Sequence, residues 1–358
     1  MAKYEHSLQV LFNTSNTEVI YDGIIYSKKN LIDNVTISCD SIVITFVRSS
    51  KKKKEAVLDS PSSIIREHLQ KALCFYLVTQ GTIPEVKDII FTCGKERMSL
   101  PHEHFTCCWK NCDIDITLPA DKAEVIFKHF TNNEEKIFYV VITHFLKSQL
   151  DNFSHDRFRA AWSTLNALYT YIDALSNSGY RSEEKKISTL ADVIDKNDMC
   201  NAMEMINSFD INSFWGNLSW YFIFNGISEK EMRKYFSGSS YNDSELLNFI
   251  YKYMSGIQHI EEKYPELKKE FTAKISRSNV HRPSDKLKFI VCKYCYNKRN
   301  NSYHAVEPYP VFVISETAET SIEQTLTEII QLTVTDLFII YSEKLEQSST
   351  VLRATHNP

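Results

Sequence analysis

The stretch Phe153-Ser-His-Asp-Arg-Phe-Arg-Ala-Ala-Trp-Ser-Thr-Leu-Asn-Ala-Leu-Tyr-Thr-Tyr-Ile-Asp-Ala-Leu175 sets the character of the chain. Its large apolar residues fall at Phe158, Trp162, Leu165, Leu168, Tyr169 and Ile172. These three- and four-residue steps align side chains along one side of an α-helix, and they predict an amphipathic helix over 153–175. Downstream the same period recurs behind polar residues able to accept from free N–H groups at a helix start. Helices are expected over 182–194, 198–206, 213–224, 228–236, 244–257 and 284–296, with a long final one over 321–345. Several β-branched residues weaken that last helix intrinsically, so packing must hold it. Upstream, 120–150 also reads as one amphipathic helix.

Before Pro119 the pattern is different. Residues 7–12, 18–26 and 35–47 are rich in β-branched and aromatic side chains and read as strands, with Asp22-Gly23 as a hairpin turn. Asp59-Ser-Pro-Ser-Ser63 opens a helix over 64–77, Gly81 and Pro84 break the chain, and 86–92 and 113–118 alternate as strands. The expected architecture is α+β: a small α+β domain over residues 1–118, then an all-α bundle over 119–358.

The 358 residues are 43% hydrophobic and 24% charged, enough for roughly two domains with real cores. A formal charge of −4 excludes a globally basic nucleic-acid coat, so any such contact must be local. The longest apolar run, Phe138–Leu146, is too short to span a bilayer, and Met1-Ala-Lys-Tyr-Glu-His6 has no apolar signal core. A cytoplasmic protein with no membrane association is expected, and its nine cysteines read as reduced thiols. No phosphate-cradling glycine loop and no nucleophile elbow is present.

Two groups of possible metal ligands stand out. Cys292 and Cys295 form a CxxC near His304, but at i, i+3 on an apolar helix face they read as core residues rather than zinc ligands. His102, His104, Cys107, Cys108 and Cys112 are denser but lack a matched partner pair. Packed cysteines with exposed histidines are expected there, and a structural metal is the alternative. No metal and no cofactor is assigned.

The chemistry-bearing stretch is Lys298-Arg-Asn-Asn-Ser-Tyr-His304. Arginine can neutralise a phosphate, and histidine can move a proton near neutral pH. The spacing alone carries no weight, because eleven arginines and eleven histidines produce about one accidental match. Arg97-Met-Ser-Leu-Pro-His102 is such a match, lying between expected strands. Arg299 differs in following a helix and preceding Asn300. Lys51, Lys52, Lys53 and Lys54 form a run that most simply reads as a solvated loop; contact of these lysines and Lys298 with an RNA backbone is the sharper reading. The aromatics Trp215, Trp220, Tyr221, Phe222 and Phe224 read as core or dimer interface, with base stacking as the alternative.

Arg299-Asn300-x-x-x-His304 resembles the Arg-polar-x(3–5)-His signature of HEPN domains, the helical ribonuclease domains of prokaryotic defence and toxin systems. Arg157-Phe158…Trp162-x-x-Leu165-Asn166-x-Leu168-Tyr169 is similar to an early helix of several HEPN groups, with Asn166 where an acid is common. The resemblance covers roughly residues 150–345. It implies a metal-independent endoribonuclease, a toxin or abortive-infection effector of antiphage defence, acting as a homodimer. The ribose 2′-hydroxyl would attack the adjacent phosphate, leaving a 2′,3′-cyclic phosphate and a 5′-hydroxyl. His304 would serve as base or acid, Arg299 would stabilise the phosphorane, and Asn300 would orient the phosphate or His304 through its amide. The implied partners are RNA, a second copy of the chain, and an antitoxin or phage-derived regulator. Val306 occupies the position of a tyrosine modified in some HEPN toxins, so that control is not expected. The alternative is a catalytically inactive HEPN-like module that binds RNA or protein.

Overall fold

Alternation of buried and exposed positions along β1 (Tyr4–Phe12) buries His6, Leu8, Val10 and Phe12 on one side of a six-stranded antiparallel sheet. The computed structural model describes residues 3–28, 31–53, 57–58, 60, 63–100, 112–130, 136–176, 182–208, 211–237, 240–279, 281–303 and 318–355. The other strands are β2 (Val19–Lys28), β3 (Leu31–Ser38), β4 (Ser41–Arg48), β5 (Val86–Cys93) and β6 (Glu96–Leu100), in the order β2-β3-β4-β1-β5-β6. Helices begin with α1 (Ile64–Gln80), α2 (Ala120–Phe130), α3 (Lys136–Leu150), α4 (Ser154–Ser176), α5 (Glu183–Lys196), α6 (Cys200–Ser208) and α7 (Ile211–Asn217). They continue with α8 (Trp220–Phe224), α9 (Glu229–Phe236), α10 (Ser244–Gln258), α11 (Ile260–Lys263), α12 (Pro265–Arg277) and α13 (Pro283–Lys288). A π-helix (Phe289–Cys295), α14 (Tyr296–Tyr303) and α15 (Ala318–Thr355) complete the chain. The fold is α+β, an antiparallel sheet followed by helices.

Several expected boundaries move. The run 35–47 is two strands of a hairpin, because Cys39-Asp40 turns and Ser38 pairs with Ser41. Asp22-Gly23 is not a turn but mid-strand, paired with Thr36 and Val35. Gly23 is there for close approach: a Cβ would lie 2.7 Å from Tyr21 Oη, whose ring lies over the glycine. The region 113–118 forms an isolated bridge from Asp113 to Thr82 and not a strand, while β6 takes the outer place and contains Arg97. The run 120–150 is two helices, α2 and α3. The stretch 213–224 divides into α7 and α8, and α11 and α12 were not anticipated. Helix α1 follows its expected signals, with Ser63 accepting from Arg66 N–H and left-handed Gly81 (φ 80°) closing it.

The chain divides into one compact unit of Met1–Asn152 with Phe338–Pro358, and another of Phe153–Leu337. The division falls beyond residue 118 because α2 and α3 complete the core over the sheet. Phe127 of α2 packs on Tyr21 (4.8 Å) and on Phe75 of α1 (4.7 Å). Buried on the same unit, Asp33 takes two bonds from Arg48 (2.7 and 2.6 Å) and one from His68 (3.2 Å).

In the helical unit every apolar position expected on α4 is buried. Trp215, Trp220 and Phe224 stack in a second cluster with Phe289 of the π-helix. Asp336 of α15 caps the start of α6, accepting from Ala202 N–H at 3.0 Å and Asn201 Nδ2 at 2.7 Å. Among the described residues, no helix is long and apolar enough to cross a membrane.

Candidate functional site

The expected helix over 284–296 runs through a seven-residue π-helical turn, and this sets where Lys298, Arg299 and Asn300 point. A π-turn closes hydrogen bonds one residue later than an α-turn, so it rotates the downstream residues about the axis, and such turns cluster at functional sites. Phe289, Ile290, Val291, Tyr294 and Cys295 fill its buried side. Tyr296, the first residue of α14, then rests against Trp162 of α4 at 6.2 Å.

Lys298 and Arg299 diverge from there. Lys298 turns inward: it is 9% exposed, and its Nζ lies 3.0 Å from Glu323 Oε1 on α15. Glu323 also takes His155 Nδ1 and Ser154 Oγ, each at 3.4 Å. Lys298 is therefore occupied inside the protein, which corrects its reading as a phosphate contact. Burial would raise the Glu323 carboxyl, but the His155 and Lys298 contacts outweigh it and hold the group below its ordinary value.

Arg299 remains one-fifth exposed. Its Nη1 lies 3.4 and 3.5 Å from the two Glu183 oxygens and donates to Asn300 Oδ1 at 2.8 Å. Glu183 opens α5 and accepts from the hydroxyl of Tyr169 at 3.2 Å. Burial, and then the neighbouring Glu183 charge, push the Tyr169 phenol up, so it stays a donor. Tyr169 and Arg299, distant in sequence, thus meet at one carboxylate. Nothing in the sequence marks Glu183 beyond its place after a helix-capping serine. His304 lies outside the described residues.

Asn300 lines an open cleft of about 820 Å³ bordered by α5, α8, α9, α13, the π-helix and α14. Cys292 lines it too, its thiol pushed up to about 12 by burial. Burial raises Cys295 as well. Among the described residues no three His, Cys, Asp or Glu side chains gather as a metal site.

The lysine run belongs to the sheet unit. Lys51 pairs with Glu96, and Lys52 and Lys53 are exposed. The Lys52 N–H donates to His6 Nε2 at 3.0 Å while His6 Nδ1 donates to Tyr4 O at 3.0 Å, which fixes one neutral tautomer of a buried ring. Burial lowers the His6 pKa accordingly. Lys54 lies outside the described residues, as do His102, His104, Cys107 and Cys108. Cys112 is held in a disulfide, so the expectation of nine reduced thiols fails there, while Cys39, Cys74, Cys93, Cys200, Cys292 and Cys295 are free. Comparisons with protein-family models, curated proteins and solved structures find no match to this chain.

Proposed function

We propose that the chain is a metal-independent endoribonuclease of the HEPN type, acting as a toxin or abortive-infection effector. The observation that carries this reading is the meeting of Tyr169 and Arg299 at Glu183. The two stretches that resemble HEPN sequences lie far apart in the chain, and their residues share a partner. Asn166 leaves the acidic position of that helix unfilled, and α5 supplies a carboxylate beside Arg299 instead.

In this mechanism Arg299 takes a non-bridging phosphate oxygen and stabilises the phosphorane as charge builds. Its contacts with Glu183 are long beside the roughly 2.7–2.9 Å of a strong charge-assisted bond, so a phosphate oxygen can replace them. Asn300 Oδ1, bonded to Arg299 Nη1, holds the guanidinium in place. His304 takes the 2′-hydroxyl proton or protonates the departing 5′-oxygen. In-line transfer uses both steps, so a second copy of the chain supplies the second histidine. A cytoplasmic setting accords with an RNA substrate.

The competing reading is a catalytically silent module that binds RNA or protein, in which Arg299 is a structural ion pair. It is favoured by the placement of Glu183 and Asn300 around the guanidinium within the protein. Arg299→Ala and His304→Ala decide between the two. Each should abolish formation of 2′,3′-cyclic phosphate ends while EDTA leaves the wild type active. Wild-type cleavage by both variants would exclude the nuclease reading.

A further inference from the structure

One end of the N-terminal sheet carries a surface that the cleavage mechanism does not use. The antiparallel register brings together the starts of β1 and β3 and the ends of β4 and β5: Tyr4 pairs with Arg48, His6 with Cys93, and Asp33 with Phe46. Tyr4, Leu31, Ile32 and Val47 lie within the terminal two residues of these strands, and each is more than a third exposed, Ile32 by 52%. Ile32 and Val47 flank the Asp33–Phe46 pair, so one register step puts them side by side, on the face opposite to those two buried residues. Both line an open trough of about 380 Å³ across that face. Single exposed apolar residues are ordinary, but four at one sheet end form a patch that water disfavours.

The same end is basic. The chain leaves β4 through Ser49-Ser-Lys-Lys-Lys53, and this loop is tied to the sheet: Lys51 pairs with Glu96 at the start of β6, and the Lys52 N–H donates to His6 at 3.0 Å. Six exposed cations stand there, the three loop lysines with Lys3 before β1, Lys95 in the β5–β6 turn and Arg97 of β6. Two exposed carboxylates, Glu5 and Glu96, stand against them. Of the six only Lys51 has an ion-pair partner among the described residues. Arg48 adds no further charge, being committed to Asp33. A chain with a formal charge of −4 thus gathers positive charge at this one place.

We infer that this end of the sheet is a docking surface for an anionic lipid membrane, with Ile32 and Val47 entering the headgroup boundary and the Lys51–Lys53 run on the headgroup charges. Lysine is a point charge on a flexible stem and is drawn to a layer of headgroups without fixed geometry, whereas the arginine fork suits a single phosphate; five of the six cations are lysines. Leu31, Ile32 and Val47 find no apolar partner in a phosphate backbone, but they leave water on reaching the acyl boundary, and Tyr4 has the amphipathic ring suited to that depth. A nucleic acid fits less well, because the rings lining the trough, His6 and Phe46, are buried and offer no face for a base. The sequence expectation of no membrane association concerns spans and signal cores, and a surface contact needs neither.

The test sediments the full-length chain with vesicles of phosphatidylcholine alone or with roughly a third phosphatidylserine, at about 0.1 M salt. Partitioning should be more than about tenfold stronger onto the anionic vesicles and should fall as salt rises. Lys52→Gln with Lys53→Gln should weaken it about tenfold and flatten the salt dependence. Ile32→Ser should weaken it about three- to tenfold and leave the salt dependence as in the parent, a distinction that a folding defect would not produce. Circular dichroism checks that both variants fold. Lys230→Gln removes an exposed lysine of α9 outside the patch and should bind as the parent does. Equal partitioning onto both kinds of vesicle, or either folded patch variant binding like the parent, overturns the inference. If the chain leaves anionic vesicles unbound and the lysine variant instead loses anisotropy-detected binding to a short fluorescein-labelled RNA, the surface belongs to nucleic acid and the inference is overturned as well. The inference rests on the sheet unit and not on the nuclease reading, which cleavage by the wild type and its loss in Arg299→Ala decide separately.

Discussion

Replacing Glu323 by alanine tests how the stretch bearing Arg299 is held. The carboxylate is 7% exposed and carries Lys298 at 3.0 Å and His155 at 3.4 Å. With its pKa held below the ordinary value it is ionised at neutral pH. Its removal leaves the Lys298 ammonium, itself one-tenth exposed, without this counter-ion. Breaking one side of a buried pair costs about 3–5 kcal/mol, because the remaining charge stays desolvated. In a unit of this size each kcal/mol moves Tm by roughly 2–4 °C, so Tm should fall by about 6–20 °C. Adding Lys298→Met removes both charges and should recover most of the loss.

The pH dependence has a definite sign. A carboxyl with a depressed folded pKa contributes stability above its unfolded value, near 4.3, and that contribution disappears as pH falls through the folded value. The gap between wild type and Glu323→Ala should therefore be full at pH 7 and narrow in acid. Calorimetry on the wild type, the single variant and the double variant at pH 7 and pH 4 measures all three quantities. A loss under about 1 kcal/mol at pH 7, a double variant no better than the single one, or a gap that widens in acid would show that Glu323 does not hold a buried charge pair. Because Lys298 precedes Arg299, cleavage should drop in Glu323→Ala and return in the double variant.

Three further perturbations bear on other parts of the molecule. Asp33→Asn should cost about 3 kcal/mol in urea denaturation at pH 7 by leaving Arg48 and His68 without a carboxylate. Burial raises that carboxyl but the Arg48 and His68 bonds hold it lower still, so the penalty should fade as pH drops below about 4; a penalty equal at pH 3.5 would count against it. Gly23→Ala should lower stability by about 1–3 kcal/mol, since Tyr21 must leave its packing on Phe75 and Phe127; an unchanged denaturation midpoint would show that the ring yields freely. Glu183→Gln should lower KM for RNA about two- to fivefold with kcat little changed, as a partly exposed ion pair competes only weakly with phosphate. A raised KM would mean that Glu183 positions Arg299 rather than competing for it.

What could be read in advance was whatever a single element states by itself. The stripe on α4 is a local property of period 3.6, and all six of its positions are buried. The start and stop of α1 follow from Ser63 and Gly81, whose side chain and left-handed backbone act within one turn. The failures are tertiary. Asp22-Gly23 has turn chemistry, but it pairs with Thr36 and Val35 in mid-strand, and Tyr21 occupies the space over Gly23. The tight turn at Cys39-Asp40 has no glycine, so 35–47 looks continuous in sequence. No local signal announces the π-helix, because its apolar residues satisfy an α-helical pattern equally well.

The same division governs the candidate site. Residue types carry chemistry that is legible anywhere, so Lys298 and Arg299 look alike in sequence, as adjacent cations in a stretch that resembles an RNA-cleaving signature. Their partners lie in other elements, and the partners set their roles. Glu323 on α15 draws Lys298 into the interior, while Glu183 on α5 leaves Arg299 at the surface in contacts long enough to exchange. Under the proposed nuclease reading, the acid missing at Asn166 would come from the next helix, where Glu183 is linked to Tyr169 by one hydrogen bond. A pattern confined to one element would miss that placement, since the carboxylate comes from another helix. Glu183→Gln probes that placement and not the pattern, so its effect on KM distinguishes a built phosphate site from two stretches that merely resemble one.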